Sequence, residues 1–163
     1  MHTRVRLPRF GRALGYHYPS ADALVGAAGN EVYRLNLDQG RYLAPYTLGL
    51  QGNTVHGCNA IDVNPAHGLL SFGTDGSGVV ELWDPRMRRQ AGSLSVATRT
   101  VLDAALLAAR RQLPGVQLGE DADAEAVAQA SSTLAVTSLA SAADGLNLAV
   151  GTNTGHVLLY DLR

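Results

Sequence analysis

One short pattern occurs three times in the chain, and this repeat constrains the fold more than any other feature of the sequence. Each copy has an apolar segment ending in glycine, a short polar turn and an alternating segment ending in a large residue. The copies occupy residues 24–37, 69–86 and 148–163. Periods of tens of residues are typical of arrays in which each unit buries its face against the next. We therefore expect one supersecondary unit, stacked several times.

The clearest copy predicts a β-hairpin. Its apolar segments, residues 69–74 and 79–84, are joined by Asp, Gly, Ser and Gly, which favour tight turns. In the second segment Glu81 and Trp83 alternate with Val80, which is the pattern of a strand with two different faces. Each copy is therefore interpreted as two antiparallel strands.

The spacing of the copies predicts β-propeller blades. Leu35 and Trp83 are 48 positions apart, close to the ~40–45 residues of a WD40 blade. Trp83 and Tyr160 are 77 positions apart, and removing about 33 residues would restore the period. Residues 99–131, which are rich in alanine, are the candidate insertion.

The insertion at 99–131 is predicted to be partly helical. Thr100 and Asp103 fit a capping box, and apolar residues then recur at helical spacing until Pro114. A second alanine-rich stretch begins with acidic residues, which favour a helix N-terminus. No chemistry is predicted for this segment.

The predicted fold class is all-β: a WD40-type β-propeller spanning 1–163, with the alanine-rich insertion within it. Three hairpins imply two to three blades of four-stranded antiparallel sheet, whereas a closed ring needs about four to eight blades. We therefore expect part of a seven-bladed ring and a chain that belongs to a longer protein.

Composition excludes several classes of function. The formal net charge of −1 does not indicate a bulk attraction to nucleic acid or to an anionic membrane. No apolar run reaches the roughly 18 residues that a membrane span needs. The single cysteine, Cys58, cannot form an intrachain disulfide. We expect a soluble intracellular protein that makes no membrane contact.

No residue pattern predicts catalysis, a cofactor, a metal or a small-molecule substrate. The glycine-rich segment 73–78 precedes a strand, whereas a phosphate-binding loop should open a helix. His56, Cys58 and His67 do not have the spacing of a structural zinc site. No nucleophile-elbow pattern occurs. We therefore expect a non-enzymatic protein.

Four arginines cluster near the N-terminus: Arg4, Arg6, Arg9 and Arg12. The planar guanidinium pairs well with phosphate, so these residues are candidates for contact with RNA or a partner protein. Because the blades carry nearly balanced charge, solvated surface is the alternative interpretation.

The turn at 73–76 and the strand that follows it resemble the central part of a WD40 repeat. The resemblance implies that Asp75 accepts hydrogen bonds that fix the turn. Trp83 and Tyr160 are expected to pack between blades, the alternative being exposed aromatic residues at an interface. The full set of signature positions is Asp75, Gly76, Trp83, Asp84, Tyr160 and Asp161.

Longer segments resemble the middle of the nucleolar protein ten family. The similar segments are residues 6–12, 16–20, 31–43, 59–86 and 149–163, which leaves out the insertion, where the chain is longer than the family. The resemblance implies a non-catalytic scaffold of the nucleus and nucleolus, in the small-subunit processome. Its implied partners are ribosome-assembly proteins and pre-rRNA. The alternative is a WD40 adaptor in an unrelated complex.

Overall fold

The structure is a computed structural model that describes residues 5–49, 55–112 and 122–163. Three antiparallel sheets follow one another along the chain, as the repeat predicts. We name them blade 1 (β1–β4), blade 2 (β5–β8) and blade 3 (β9–β11). The strands are β1 Gly11–His17, β2 Asp22–Ala27, β3 Glu31–Asn36, β4 Arg41–Thr47, β5 Gly57–Val63, β6 Leu70–Asp75, β7 Val79–Asp84, β8 Arg89–Ser95, β9 Val136–Ser141, β10 Asn147–Thr152 and β11 Val157–Asp161; the helices are α1 Arg99–Gln112 and α2 Ala122–Thr133.

The three repeated hairpins are the pairs β2–β3, β6–β7 and β10–β11. The first two pairs are central in their four-stranded sheets, whereas β11 is an edge strand of the third sheet. The predicted all-β fold class is therefore confirmed. Blades 1 and 2 have the four predicted strands, whereas blade 3 has three strands within the described part of the chain.

Successive blades are stacked through their first two strands. Isolated antiparallel bridges join Ala28 to Gly57 and Asp75 to Ala135, so the end of β2 or β6 contacts the start of the next blade. The two bridges occur at equivalent places in the repeat. The same geometry therefore relates blade 1 to blade 2 and blade 2 to blade 3.

Glycines permit this close stacking. A Cβ atom at Gly26 of β2 would lie 2.7 Å from the backbone oxygen of Cys58 in β5. At the equivalent Gly73 of β6, a Cβ would lie 2.5 Å from Val136 Cγ1 in β9. Real side-chain contacts are longer, so these positions require glycine for packing.

The interface between blades 1 and 2 is aromatic. Trp83 of β7 packs edge-on against Tyr46 of β4, with ring centroids 5.3 Å apart, and Phe72 lies 5.5 Å from the same ring. Leu24 and Val32 of blade 1 complete this fully buried cluster.

The interface between blades 2 and 3 is aliphatic at its centre. Val80 of β7 and Val96, which follows β8, meet Val136, Leu148 and Val150 of blade 3. All five side chains are fully buried. Because side chains alternate along β7, Val80 lies at the interface with blade 3 and Trp83 lies at the interface with blade 1.

The helices α1 and α2 lie between β8 and β9 and pack against each other. Val101 and Ala105 of α1 form a small core with Ala130 of α2, Leu134 and Leu158 of β11. The helix α1 begins at Arg99, so the capping role predicted for Thr100 is wrong: Thr98 precedes the helix, and its carbonyl oxygen accepts a hydrogen bond from the Leu102 amide. No helix among the described residues is long and apolar enough to cross a membrane.

Candidate functional site

Trp83 is a buried residue of the first interface and is 4% exposed. Its indole N–H donates to Glu81 Oε2 at 3.0 Å, and Glu81 Oε1 accepts from the Gly49 amide at 2.7 Å. A buried carboxylate is tolerated only when donors satisfy it, as they do here. The arrangement anchors the segment after β4 to the neighbouring blade and offers no exposed aromatic surface.

Tyr160 takes the equivalent place in β11 but uses its polar end differently. Its ring packs against the aliphatic interface, and its hydroxyl donates to the Ser95 carbonyl at 2.7 Å. Tyr160 thus ties β11 to the end of β8. Burial raises the pKa of the Tyr160 hydroxyl, so the group acts as a neutral donor.

Asp84 and Asp161, the last residues of β7 and β11, bind the arginine that follows two positions later in the same way. Each carboxylate accepts from the amide and the guanidinium of the arginine two residues later, Arg86 or Arg163. The Arg86 backbone amide lowers the pKa of Asp84 most, whereas the Arg163 side chain lowers the pKa of Asp161 most. Asn36 takes this position in blade 1 and accepts from the Gln39 amide.

Asp75 does not have the turn-fixing role that the WD40 resemblance implied. Its carboxylate binds Arg12 Nη1 at 2.7 Å, which joins β6 of blade 2 to β1 of blade 1. The turn is fixed instead by Thr74, whose hydroxyl donates to the Val79 carbonyl and accepts from the Val79 amide. Thr152 accepts from the His156 amide in the equivalent turn of blade 3.

Gly76 must be glycine for two reasons. Its φ of 87° lies in the left-handed region, which L side chains rarely adopt. A Cβ at this position would also overlap the imidazole ring of His56. Since the His56 amide donates to the Asp75 carbonyl, the two loops are locked together.

The arginines of the N-terminal cluster differ in their surroundings. Arg6 and Arg9 are exposed and have no ion-pair partner within residues 5–49, 55–112 and 122–163. Arg9 passes over Gly29, beside the β2–β3 turn. Arg12 is engaged by Asp75 and, at 3.0 Å, by Asn59. Arg4 lies outside the described residues.

Blade 1 contains a buried polar network that the sequence patterns did not reveal. Arg34 donates through two nitrogens to Asp22 Oδ2, at 2.6 and 3.2 Å, and Asn36 donates to Asp22 Oδ1 at 2.8 Å. The Arg34 guanidinium also lies 4.9 Å from the centre of the Tyr46 ring. One signal was available: Arg34 is the charged residue in the core-facing row of β3, alongside Val32.

His17 extends this network towards the surface. Burial lowers the pKa of His17 most; the Asp22 charge raises it and the Arg34 charge lowers it, so the net shift favours the neutral ring. Its Nδ1 lies 2.7 Å from the Ser20 hydroxyl. Desolvation opposes ionisation of Asp22, but hydrogen bonds from Arg34, Asn36 and Ser20 hold its pKa below the ordinary value.

His56, Cys58 and His67 do not converge. His56 precedes β5 and His67 follows it, at opposite ends of the strand, while the Cys58 thiol is buried against Gly26. Burial raises the pKa of Cys58 to about 12. Across the part of the chain that the structure describes, no group of three or more His, Cys, Asp or Glu could hold a metal ion.

Comparison with known proteins connects this arrangement to a family. Residues 1–163 match the sequence model described as "Nucleolar protein 10-like, N-terminal domain", a β-propeller domain. The chain is 40% identical over 165 residues to "Ribosome biogenesis protein enp2 homolog" of Schizosaccharomyces pombe and 42% identical over 160 residues to "Nucleolar protein 10" of Mus musculus. These alignments cover 100% and 98% of this chain, but 22% and 19% of the relatives.

A solved structure supports the propeller fold independently of close sequence similarity. "Crystal structure of RRP9 WD40 repeats" superposes with a TM-score of 0.64 at 12% identity. The superposition covers 97% of this chain and 37% of that protein. At this level of identity the likeness concerns the fold alone.

The matched model describes an N-terminal domain, whereas the resemblance pointed to the middle of the family's proteins. That residues 99–131 are an insertion relative to the family stays a prediction. The names of the relatives indicate a nucleolar localisation, as expected. This chain belongs to the nucleolar protein 10-like family and matches the model of that family's N-terminal β-propeller domain.

Proposed function

We propose that the chain is a non-catalytic WD40 scaffold in ribosome biogenesis, acting in the small-subunit processome during pre-rRNA processing. The observation that carries this proposal is the similarity, over the whole chain, to proteins named for ribosome biogenesis. The chain spans about a fifth of the length of these relatives, so the proposal concerns the complete protein of which such a domain is a part.

The geometry supports a scaffold because the polar side chains of the repeat are used to hold blades together. Asp75 and Tyr160 bond across a blade boundary, and Trp83 donates to Glu81, which in turn accepts from the Gly49 amide after β4 of blade 1. We further propose that the blades belong to a seven-bladed ring. Apolar side chains on the outer faces of blades 1 and 3, such as Leu14 and Leu159, are then expected to meet further blades.

Ser20, His17 and Asp22 resemble a hydrolytic triad in composition, but their contacts differ. In such a triad the carboxylate hydrogen-bonds the imidazole and holds its orientation. The Asp22 carboxylate instead accepts from Arg34 and Asn36, and no hydrogen bond joins it to His17 among the described residues. These contacts support a structural role and not nucleophilic catalysis.

Recovery of partners tests the proposed assembly. The full-length protein is tagged and purified from cells, and its associated proteins and RNA are identified. We expect small-subunit processome proteins and pre-rRNA to be enriched, and depletion of the protein to cause unprocessed pre-rRNA to accumulate. A different stable complex in their place would identify the protein as an adaptor elsewhere and would refute the proposal.

We propose that Arg6 and Arg9, which have no ion-pair partner among the described residues, contact RNA together with Arg4, and that Arg12 does not. Arg4, Arg6 and Arg9 are changed to Gln together, with Arg41→Gln on β4 as the matched exposed control. Each lost phosphate contact should reduce the salt dependence of binding to single-stranded RNA by about 0.7 in the log–log slope. An unchanged slope, with unchanged crosslinking to pre-rRNA, would exclude this surface. Arg12→Gln should instead weaken the link between blades 1 and 2.

A further inference from the structure

A small pocket, which we name the rim pocket, opens where the edge strand β4 of blade 1 meets the turn between β7 and β8 of blade 2. Its volume is about 310 Å³. Since blades 1 and 2 form both of its walls, the rim pocket does not depend on any further blade. The strand β4 contributes Ala44, Pro45, Tyr46 and Thr47, and blade 2 contributes Trp83 and Arg88.

A β-bulge in β4 shapes the first wall. The pairing of β4 with β3 shifts between Val32 and Arg34, which leaves Ala44 and Pro45 without partners in the ladder. A bulge bends a strand and changes the direction of its side chains. Pro45 also has no N–H, so this edge of the sheet does not favour the addition of another strand. The wall therefore suits a ligand that enters with a side chain.

The Tyr46 hydroxyl is a hydrogen-bond donor without a partner in the rim pocket. Tyr46 is 3% exposed, and its hydroxyl makes no hydrogen bond to the described residues. Because no fully buried polar atom of those residues lacks a partner, the hydroxyl oxygen reaches the surface, and it does so in the pocket that Tyr46 lines. Burial raises the pKa of Tyr46, so the group keeps its proton at neutral pH.

The rim pocket is positively charged. Arg34, which also borders it, is neutralised by the buried Asp22 carboxylate at 2.6 Å. Arg88 is exposed and has no ion pair within the described ranges, and no residue given for the lining is acidic. A guanidinium beside the hydroxyls of Tyr46 and Thr47 provides donors for an anion with several acceptor oxygens.

Arg88 has an uncommon backbone conformation. Its φ of 51° lies in the left-handed region, where glycine or asparagine is usual. Its amide donates to the Asp84 carbonyl at 2.9 Å, while the Asp84 carboxylate binds Arg86. Glycine would adopt this conformation with less strain. An arginine at such a position points to a use for its side chain.

We propose that the rim pocket binds the carboxylate of an Asp or Glu side chain in an acidic segment of a partner protein, with Arg88 supplying the charge and the Tyr46 and Thr47 hydroxyls donating hydrogen bonds. An acidic side chain brings its carboxylate into a small pocket on a narrow stem, whereas an RNA phosphate is flanked by sugars on both sides. RNA binding also depends on several cations, and this pocket has one that is unpaired. The site goes beyond the proposed role in ribosome assembly and does not depend on it.

Selection of short displayed peptides composed of Asp, Glu, Gly and Ser on the full-length protein tests the proposal. Affinities of the enriched peptides are then measured by fluorescence anisotropy. We expect one acidic position to be essential, so that its change to the amide weakens binding about tenfold, the loss of one charge-assisted hydrogen bond. Arg88→Gly should weaken binding to a similar extent. No enriched peptide, or equal binding to Arg88→Gly, would overturn the proposal.

Arg88→Gly also separates binding from folding. Its melting temperature should stay close to that of the unmodified protein, because glycine adopts the left-handed conformation without strain. The matched control is Arg89→Gln, which removes the same charge from the next position, an exposed residue of β8 outside the lining. The control should bind the peptides nearly normally. Equal losses for the two variants would mean unspecific attraction between charges and would overturn the proposal.

Tyr46→Phe tests the hydroxyl and keeps the ring that packs against Trp83. We expect binding to weaken about threefold to tenfold, as for one hydrogen bond. Tyr42→Phe removes a hydroxyl from an exposed tyrosine of the same strand and should have no effect. Unchanged affinity of Tyr46→Phe would contradict the role of the hydroxyl. An oligouridylate probe whose binding is lost in Arg88→Gly, when acidic peptides do not bind, would show that the ligand class is wrong.

Discussion

The two blade interfaces have the same backbone geometry but different chemistry. Between blades 1 and 2, aromatic rings surround the Glu81 carboxylate and the Arg34 guanidinium, each of which is held by two hydrogen bonds. Between blades 2 and 3, valine and leucine side chains fill the centre. Buried polar networks demand one arrangement of their donors and acceptors, whereas aliphatic contacts tolerate small shifts. The repeat therefore determines how the blades stack. The side chains at each interface determine how large a shift between neighbouring blades the packing tolerates.

The largest expected effect is the loss of Trp83. Trp83→Ala should lower the free energy of unfolding by about 3–5 kcal/mol, since it leaves a cavity and removes a donor from Glu81. Leu148→Ala at the second interface should cost about 2–5 kcal/mol, through the cavity alone. Urea denaturation followed by circular dichroism measures both. A smaller loss for Trp83→Ala than for Leu148→Ala would contradict the difference between the interfaces.

Trp83→Phe separates the two contributions at this position. The ring is retained, but Glu81 Oε2 loses its indole donor. We expect a loss of about 1–3 kcal/mol, the cost of leaving a buried polar group unsatisfied. The same stability as the unmodified protein would mean that the hydrogen bond contributes nothing.

Adding one methyl group at Gly26 or at Gly73, the glycines at which the blades stack, compares the two interfaces directly. Gly26→Ala and Gly73→Ala should each cost about 1–3 kcal/mol through overpacking. Gly26→Ala should cost more, because it meets the backbone of Cys58, whereas Gly73→Ala meets the side chain of Val136. The control is Gly92→Ala, whose added methyl meets nothing within 4 Å. Val136→Ala should partly rescue Gly73→Ala, and no second substitution of a side chain should rescue Gly26→Ala.

Sequence periodicity predicted the sheets well and the polar contacts poorly. The alternation in residues 79–84 correctly assigned Trp83 and Val80 to opposite faces, because strand geometry is local. The Asp75 contact was missed since its partner, Arg12, is 63 positions away and only the stacked blades bring them together. The Asp22 network was missed for the same reason: its members belong to different strands. Contacts between residues of different strands or blades cannot be predicted from the spacing of apolar residues along the chain.

Acid should affect the first interface before the second. The pKa of Asp22 is lowered in the folded protein, so its stabilisation is present above the unfolded value of about 3.9 and is lost as the pH falls below it. Urea midpoints measured from about pH 7 to pH 3 should therefore decline in this range. Asp22→Asn should be less stable at neutral pH and should show a shallower decline. An equal slope for both proteins would remove Asp22 as the cause.

Chemical labelling of the Cys58 thiol is the prediction with the smallest expected effect. It measures the separation of blades 1 and 2 at one position. The thiol is fully buried against Gly26, and its pKa is raised to about 12, so little thiolate exists at neutral pH. A thiol reagent should react with the native protein only when blades 1 and 2 part, and the rate should rise with urea before the global transition if this interface opens locally. Gly26→Ala should accelerate labelling, whereas Gly73→Ala, at the other interface, should leave it nearly unchanged. Equal acceleration by both substitutions would mean that the two interfaces open as one cooperative unit, and the contrast between them would then concern their chemistry but not their dynamics.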